Sequence, residues 1–128
     1  MRDPAEVVQT DAAPKAIGPY SQALAVGGWV FLSGQIPLDP VSGELVGGGF
    51  APQATRALAN LDAVLRAAGC ERSAVAKVTV YLTDLARFGE FNEIYAQFFG
   101  SHRPARAVIG VAALPRGAQV EVEAVAAR

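Results

Sequence analysis

Val78, Val80 and Leu82 alternate with Lys77, Thr79, Tyr81 and Thr83, the two-residue period of a strand that buries one face. A strand is therefore expected over 74–83. Two more are expected at 22–26 and 29–33, with Gly27-Gly28 between them as a tight hairpin turn. The apolar run 107–114 and the alternating run 119–126 complete the set, joined across Pro115-Arg116-Gly117. Elsewhere the period lengthens to that of a helix. Ala54, Leu58, Leu61, Val64, Leu65 and Ala68 form one apolar stripe, opened by Pro52 at a first-turn position and closed by Gly69. Phe91, Ile94, Tyr95, Phe98 and Phe99 form a second, with Asp84 as the expected cap and Gly100 as the end. Pro4, Pro14 and Pro19 limit the chain before Tyr20 to irregular structure or an edge strand. The stretch 34–49, rich in glycine and holding Pro37 and Pro40, reads as a long loop.

The order is ββαβαββ, an α+β domain over 1–128 with a mixed sheet whose two helices can cover only one face. The other face would carry Thr79, Tyr81, Glu121 and Glu123, too polar for a second core and too apolar for bare solvent. Composition adds to this picture. Hydrophobic residues make up 52% of the 128 and charged residues 18%, a rich balance for a small domain with much surface to cover. Other copies of the chain are expected to cover that surface, in a symmetric homo-oligomer.

The formal net charge is -1 and no Lys/Arg cluster breaks the mixture of signs, which disfavours a nucleic-acid partner. Lone Cys70 excludes an intrachain disulfide, and lone His102 argues against a histidine-based metal site. No apolar run approaches the length of a membrane helix, and no basic segment leads into an apolar one near the start. A cytoplasmic protein without membrane partner or metal is the expectation.

Arg106 is the residue that asks for an explanation. It stands between Pro104-Ala105 and the apolar run, at the mouth of what reads as a buried strand. A guanidinium stays charged and is costly to bury alone, so it needs an anion. That anion is either Glu121 or Glu123 in the next strand, or the carboxylate of a ligand. Glu121 and Glu123 share a strand face, which suits general acid/base work but equally a solvated alternation. Ser33, at a strand end before Gly34, can satisfy a backbone group or meet a ligand. Asn92 reads as a surface or helix-to-loop residue, and Cys70 as a packing thiol. Gly47-Gly48-Gly49 lacks the Lys of a phosphate loop and is read as plain loop.

Taken together, 16–22 (Ala-Ile-Gly-Pro-Tyr-Ser-Gln), 31–37 (Phe-Leu-Ser-Gly-Gln-Ile-Pro), 103–106 (Arg-Pro-Ala-Arg), Leu114-Pro115 and 120–125 (Val-Glu-Val-Glu-Ala-Val) resemble the RidA (YjgF) family of reactive-intermediate deaminases, in order and across almost the whole chain. The resemblance implies a chorismate-mutase-like fold, a homotrimer and ligand clefts between subunits. It implies hydrolysis of 2-imino acids and their enamine tautomers to 2-keto acids and ammonia, with no cofactor. By motif, Arg106 resembles the family's carboxylate-binding arginine, Tyr20 its cleft tyrosine, Ser33 its strand-end serine, Asn92 its helix asparagine and Glu121 its water-positioning glutamate. A backbone carbonyl near Val108 is implied as a second water ligand. The chain departs from the family in having Val108 where cysteine is frequent, Ala107 where serine is, and a 99–104 segment about three residues shorter. Two other readings are carried forward: a non-catalytic binder of carboxylate metabolites, and a ribonuclease.

Overall fold

The computed structural model describes residues 4–128. Its strands are β1 (Glu6–Val8), β2 (Ala23–Val26), β3 (Trp29–Gln35), β4 (Val75–Leu82), β5 (Ala105–Gly110) and β6 (Val120–Ala127), with helices α1 (Phe50–Ala67) and α2 (Phe88–Phe99). One sheet results, in the order β1-β2-β3-β6-β4-β5. β4 and β5 run parallel, connected through α2, and every other neighbouring pair is antiparallel. This is the mixed α+β sheet expected, with β1 added as an outer strand before the ββαβαββ core.

Local chemistry explains most boundaries. Gly27 and Gly28 both take positive φ, 55° and 87°, as a two-residue hairpin turn requires. Helix α1 starts at Phe50, so Pro52 lies within its first turn, where a missing N–H leaves no bond unmade. Asp84 accepts from Ala86 N–H at 3.0 Å and caps a short 3-10 turn, Leu85–Arg87, that leads into α2. Leu58, Leu61, Val64 and Leu65 of α1, with Phe91 of α2, pack on Val30, Val78, Val80 and Val122, all at most 1% exposed. Burying each such side chain contributes about 1.5–3 kcal/mol. Both helices lie on this one face.

Two expectations are corrected. The strand expected at 107–114 runs instead over Ala105–Gly110, and it is an outer strand whose residues are half-buried or exposed. Its apolar character does not mark a core, because β5 has a neighbour on one side only. Arg106 consequently lies inside the strand rather than at the mouth of a buried one. The 34–49 stretch is also less irregular than expected: β3 continues to Gln35, and Leu38 bridges Leu45.

The uncovered face is more apolar than the sequence suggested. Residues of this face lie in register across the strands: Leu24 beside Phe31, Phe31 beside Val125, Tyr81 beside Ile109. Phe31 is 49% exposed, Trp29 47% and Ile109 44%. A patch of this kind is a common mark of a protein–protein contact.

Candidate functional site

At the end of β3 the pairing with β6 slips: Leu32 pairs Ala124, but Gln35 pairs Val122. Ser33 and Gly34 therefore face Glu123 together in a bulge, a device that re-aims side chains. Ser33 Oγ donates to Ser21 O at 2.6 Å. Gly34 is occupied space: a Cβ there would lie 2.9 Å from the carboxyl carbon of Glu121. Glu121 is held half-buried over the bulge. Burial, and then the nearby Glu123 carboxylate, raise its proton affinity above that of an ordinary glutamate. The two glutamates differ in their surroundings: Glu123 accepts the Tyr81 hydroxyl at 2.9 Å, whereas the Glu121 carboxylate has no hydrogen-bond partner among the described residues.

Glu121 opens into a cleft of about 440 Å³ lined also by Tyr20, Ser33, Ile17, Ile36 and Arg116. Tyr20 is exposed, and its hydroxyl accepts from Ile17 N–H at 3.2 Å. Buried amides fix the walls. Gln22 Oε1 accepts from Thr10 N–H at 2.7 Å, and its Nε2 donates to Pro14 O at 2.8 Å, which clamps the N-terminal arm. Asn60 donates to Leu38 O at 2.9 Å, and Gln53 accepts from Gln119 N–H at 2.9 Å. Sequence reasoning missed these three and Gly34. A signal was present for Gln53 and Asn60, which are amides within the buried stripe of α1.

Arg106, Asn92 and Val108 form a second group. Arg106 Nη1 donates to Asn92 Oδ1 at 2.8 Å, and the guanidinium lies 4.7 Å from the Tyr95 ring centre and 5.7 Å from that of Phe88. Stacking on aromatic faces and one amide bond orient the fork while leaving its other donors to solvent. It makes no ion pair among the described residues. Val111 N–H donates to Leu82 O, so by the alternation of a parallel ladder the odd-numbered positions of β5 turn their backbone groups to β4. Val108 turns its carbonyl the other way, to the free edge.

Within one chain the two groups do not meet. Arg106 pairs Val78 and Glu121 pairs Tyr81, positions three apart on β4 and hence on opposite faces. The idea that Glu121 or Glu123 neutralises Arg106 within the chain is thereby corrected: β4 separates their strands. Asn92, expected as a surface residue or a tie from helix to loop, is half-buried and ties α2 to Arg106 of β5.

The remaining candidates are structural. His102 Nε2 lies 2.7 Å from Val75 O, in the short turn after α2. Cys70 is buried, and burial pushes its thiol up, so it is a packing residue. No cluster of three or more metal-ligating side chains occurs among the described residues, and no helix there is long and apolar enough to cross a membrane.

Comparison with known proteins gives the chain its family and its fold. The family model described as endoribonuclease L-PSP matches residues 10–128. The 2-iminobutanoate/2-iminopropanoate deaminase of Homo sapiens is 53% identical over 120 residues, spanning 94% of this chain and 88% of that protein. A putative endoribonuclease from Thermotoga maritima superposes with a TM-score of 0.94 at 51% identity, over 96% of this chain and 97% of the other. TdcF of E. coli, solved with bound serine, superposes with a TM-score of 0.91 at 42% identity, over 96% and 98%.

Proposed function

Since the chain belongs to the RidA (YjgF) family, the family described as endoribonuclease L-PSP, we propose that it hydrolyses 2-imino acids and their enamines to 2-keto acids and ammonia in clefts between copies of a homotrimer. One observation carries this reading: Arg106, oriented by Asn92 and without an ion-pair partner among the described residues, and Glu121, with its raised proton affinity, stand on opposite faces of one sheet. Each is half of a site. A second copy laid against the apolar open face and the free edge of β5 would join Arg106, Asn92 and the Val108 carbonyl of one chain to Tyr20, Ser33 and Glu121 of the next.

The chemistry follows from the parts. Arg106 holds the substrate carboxylate through two parallel hydrogen bonds, which fixes the adjacent imine carbon. A water held by Glu121 and the Val108 carbonyl attacks that carbon. Glu121 takes the proton that the water loses, and the oxygen becomes the hydroxyl of a carbinolamine. The proton then passes to the nitrogen, the carbon–nitrogen bond breaks and ammonia leaves, while the hydroxyl gives up its own proton to the freed Glu121 carboxylate as the carbonyl forms. For an enamine, protonated Glu121 first supplies a proton to the terminal carbon. A carboxyl with raised proton affinity suits both directions of transfer. The serine bound to TdcF carries the same α-carboxylate that Arg106 is proposed to hold.

The ribonuclease reading has less support, because His102, the single histidine of the sequence, lies against Val75 O and does not line the cleft of Glu121. The non-catalytic reading would leave Glu121 without a task. The test is direct: an amino-acid oxidase generates 2-iminobutanoate in situ, and its decay is followed with and without the protein. Acceleration supports the deaminase; binding of 2-oxobutanoate without acceleration supports the binder.

A further inference from the structure

Arg116 has one of the least comfortable backbones in the chain. It is the sole non-glycine residue with positive φ among the described residues, at φ 63° and ψ 15°. For a long side chain this conformation costs about 1–2 kcal/mol, and such strain tends to persist where a position has work to do. Arg116 lines the cleft that holds Glu121, Tyr20 and Ser33, and Lys15 lines the same cleft. Neither cation has a carboxylate partner among the described residues. Arg116 is tied only by a 3.3 Å bond from Nη2 to Gly43 O. The cleft, about 440 Å³ even in a single chain, has room for a substrate side chain beyond the reacting carbon.

From this we infer that Arg116, assisted by Lys15, is a distal carboxylate subsite, and that the protein accepts 2-imino acids bearing a second carboxylate, as formed from acidic amino acids. The inference rests on the deaminase reading and names a substrate class for it. Carboxylate is the anion chosen because it is the one that amino-acid side chains supply. The reaction itself is unchanged: water oxygen bonds to C2, the C2–N bond breaks and ammonia leaves, without redox change. Arg106 takes the α-carboxylate and Arg116 the distal one.

The experiment compares 2-iminoglutarate with 2-iminobutanoate in the native protein and in Arg116→Asn, chosen because asparagine tolerates the left-handed backbone. The native protein accelerates both. Arg116→Asn loses roughly tenfold or more in kcat/KM on 2-iminoglutarate, mainly through KM, and stays within about twofold of native on 2-iminobutanoate. Equal losses on both substrates would make Arg116 a mere tie to Gly43 and overturn the subsite. Acceleration of 2-iminobutanoate alone by the native protein would overturn the subsite and leave the deaminase standing. Acceleration of neither would remove the deaminase reading, and the subsite with it.

Discussion

The carboxyl group of Glu121 lies where a side chain at Gly34 would lie, with its carbon 2.9 Å from the position of a Cβ. The bulge of β3 and the glycine within it hold the carboxylate, and a single methyl group would move it. Gly34→Ala should therefore fold with a melting temperature within a few degrees of native, yet lose about 100-fold in imine hydrolysis, the loss expected of a misplacement near 1 Å. Steady-state kinetics beside a thermal melt separates the two effects. Full activity in Gly34→Ala would mean that Glu121 acts from another position.

Removing the guanidinium should abolish turnover without unfolding the chain, since Arg106 is exposed and its bonds are to Asn92 and to ring faces. Arg106→Lys should recover little, because a point charge cannot reproduce a fork that holds both carboxylate oxygens. Circular dichroism and kcat/KM on 2-iminobutanoate check both halves. Loss of the fold would instead give Arg106 a structural task.

Glu121 should leave a signature in pH. Burial and Glu123 raise its proton affinity, so the acid limb of the activity profile should lie above the range of an ordinary glutamate and should vanish in Glu121→Gln along with most of the rate. Stability moves in the opposite sense. A carboxyl whose folded pKa is raised stabilises most below its unfolded pKa, near 4.3, and loses that contribution as pH rises through the folded value. Glu121→Gln should thus melt higher than native at pH 7, and the gain should disappear below about pH 4. Melts at both pH values decide the sign.

Phe31, half exposed in the middle of the open face, should be indispensable to assembly. The native protein should scatter light as a trimer at micromolar concentration, and Phe31→Glu as a monomer lacking deaminase activity, because a buried, unpaired carboxylate opposes the contact. A native monomer would leave the half-sites apart.

Much of the fold was legible in the sequence because alternation and helical stripes are written locally. Val78, Val80 and Leu82 are buried, and Leu58, Leu61 and Leu65 are too, as their spacing demands. What misled was the run from Ala107, where apolar residues signalled a core but belong to an outer strand; residue type cannot distinguish burial within a chain from burial against another. Arg106, Glu121, Ser33 and Asn92 stood out in their sequence setting and took their candidate roles from the resemblance, but their arrangement was not visible. That Arg106 and Glu121 occupy opposite faces depends on β4 lying between β5 and β6, a matter of strand order that no local pattern encodes. Gly34 and Gln22 were overlooked for a related reason. Their importance lies in what they touch far along the chain, Glu121 in one case and Thr10 with Pro14 in the other.

The central claim, that one chain supplies Arg106 and another Glu121 to each cleft, is tested most directly by mixing inactive subunits. Arg106→Ala and Glu121→Gln chains, unfolded together in equal amounts and refolded, assort at random, and every mixed trimer contains one cleft with both native residues. About three quarters of the trimers are mixed and each has one intact cleft of its three, so activity should return to about a quarter of native, although neither variant alone is active. No recovery from mixed trimers whose formation is verified by differently tagged subunits would contradict the account, and would require Arg106 and Glu121 to act from the same chain.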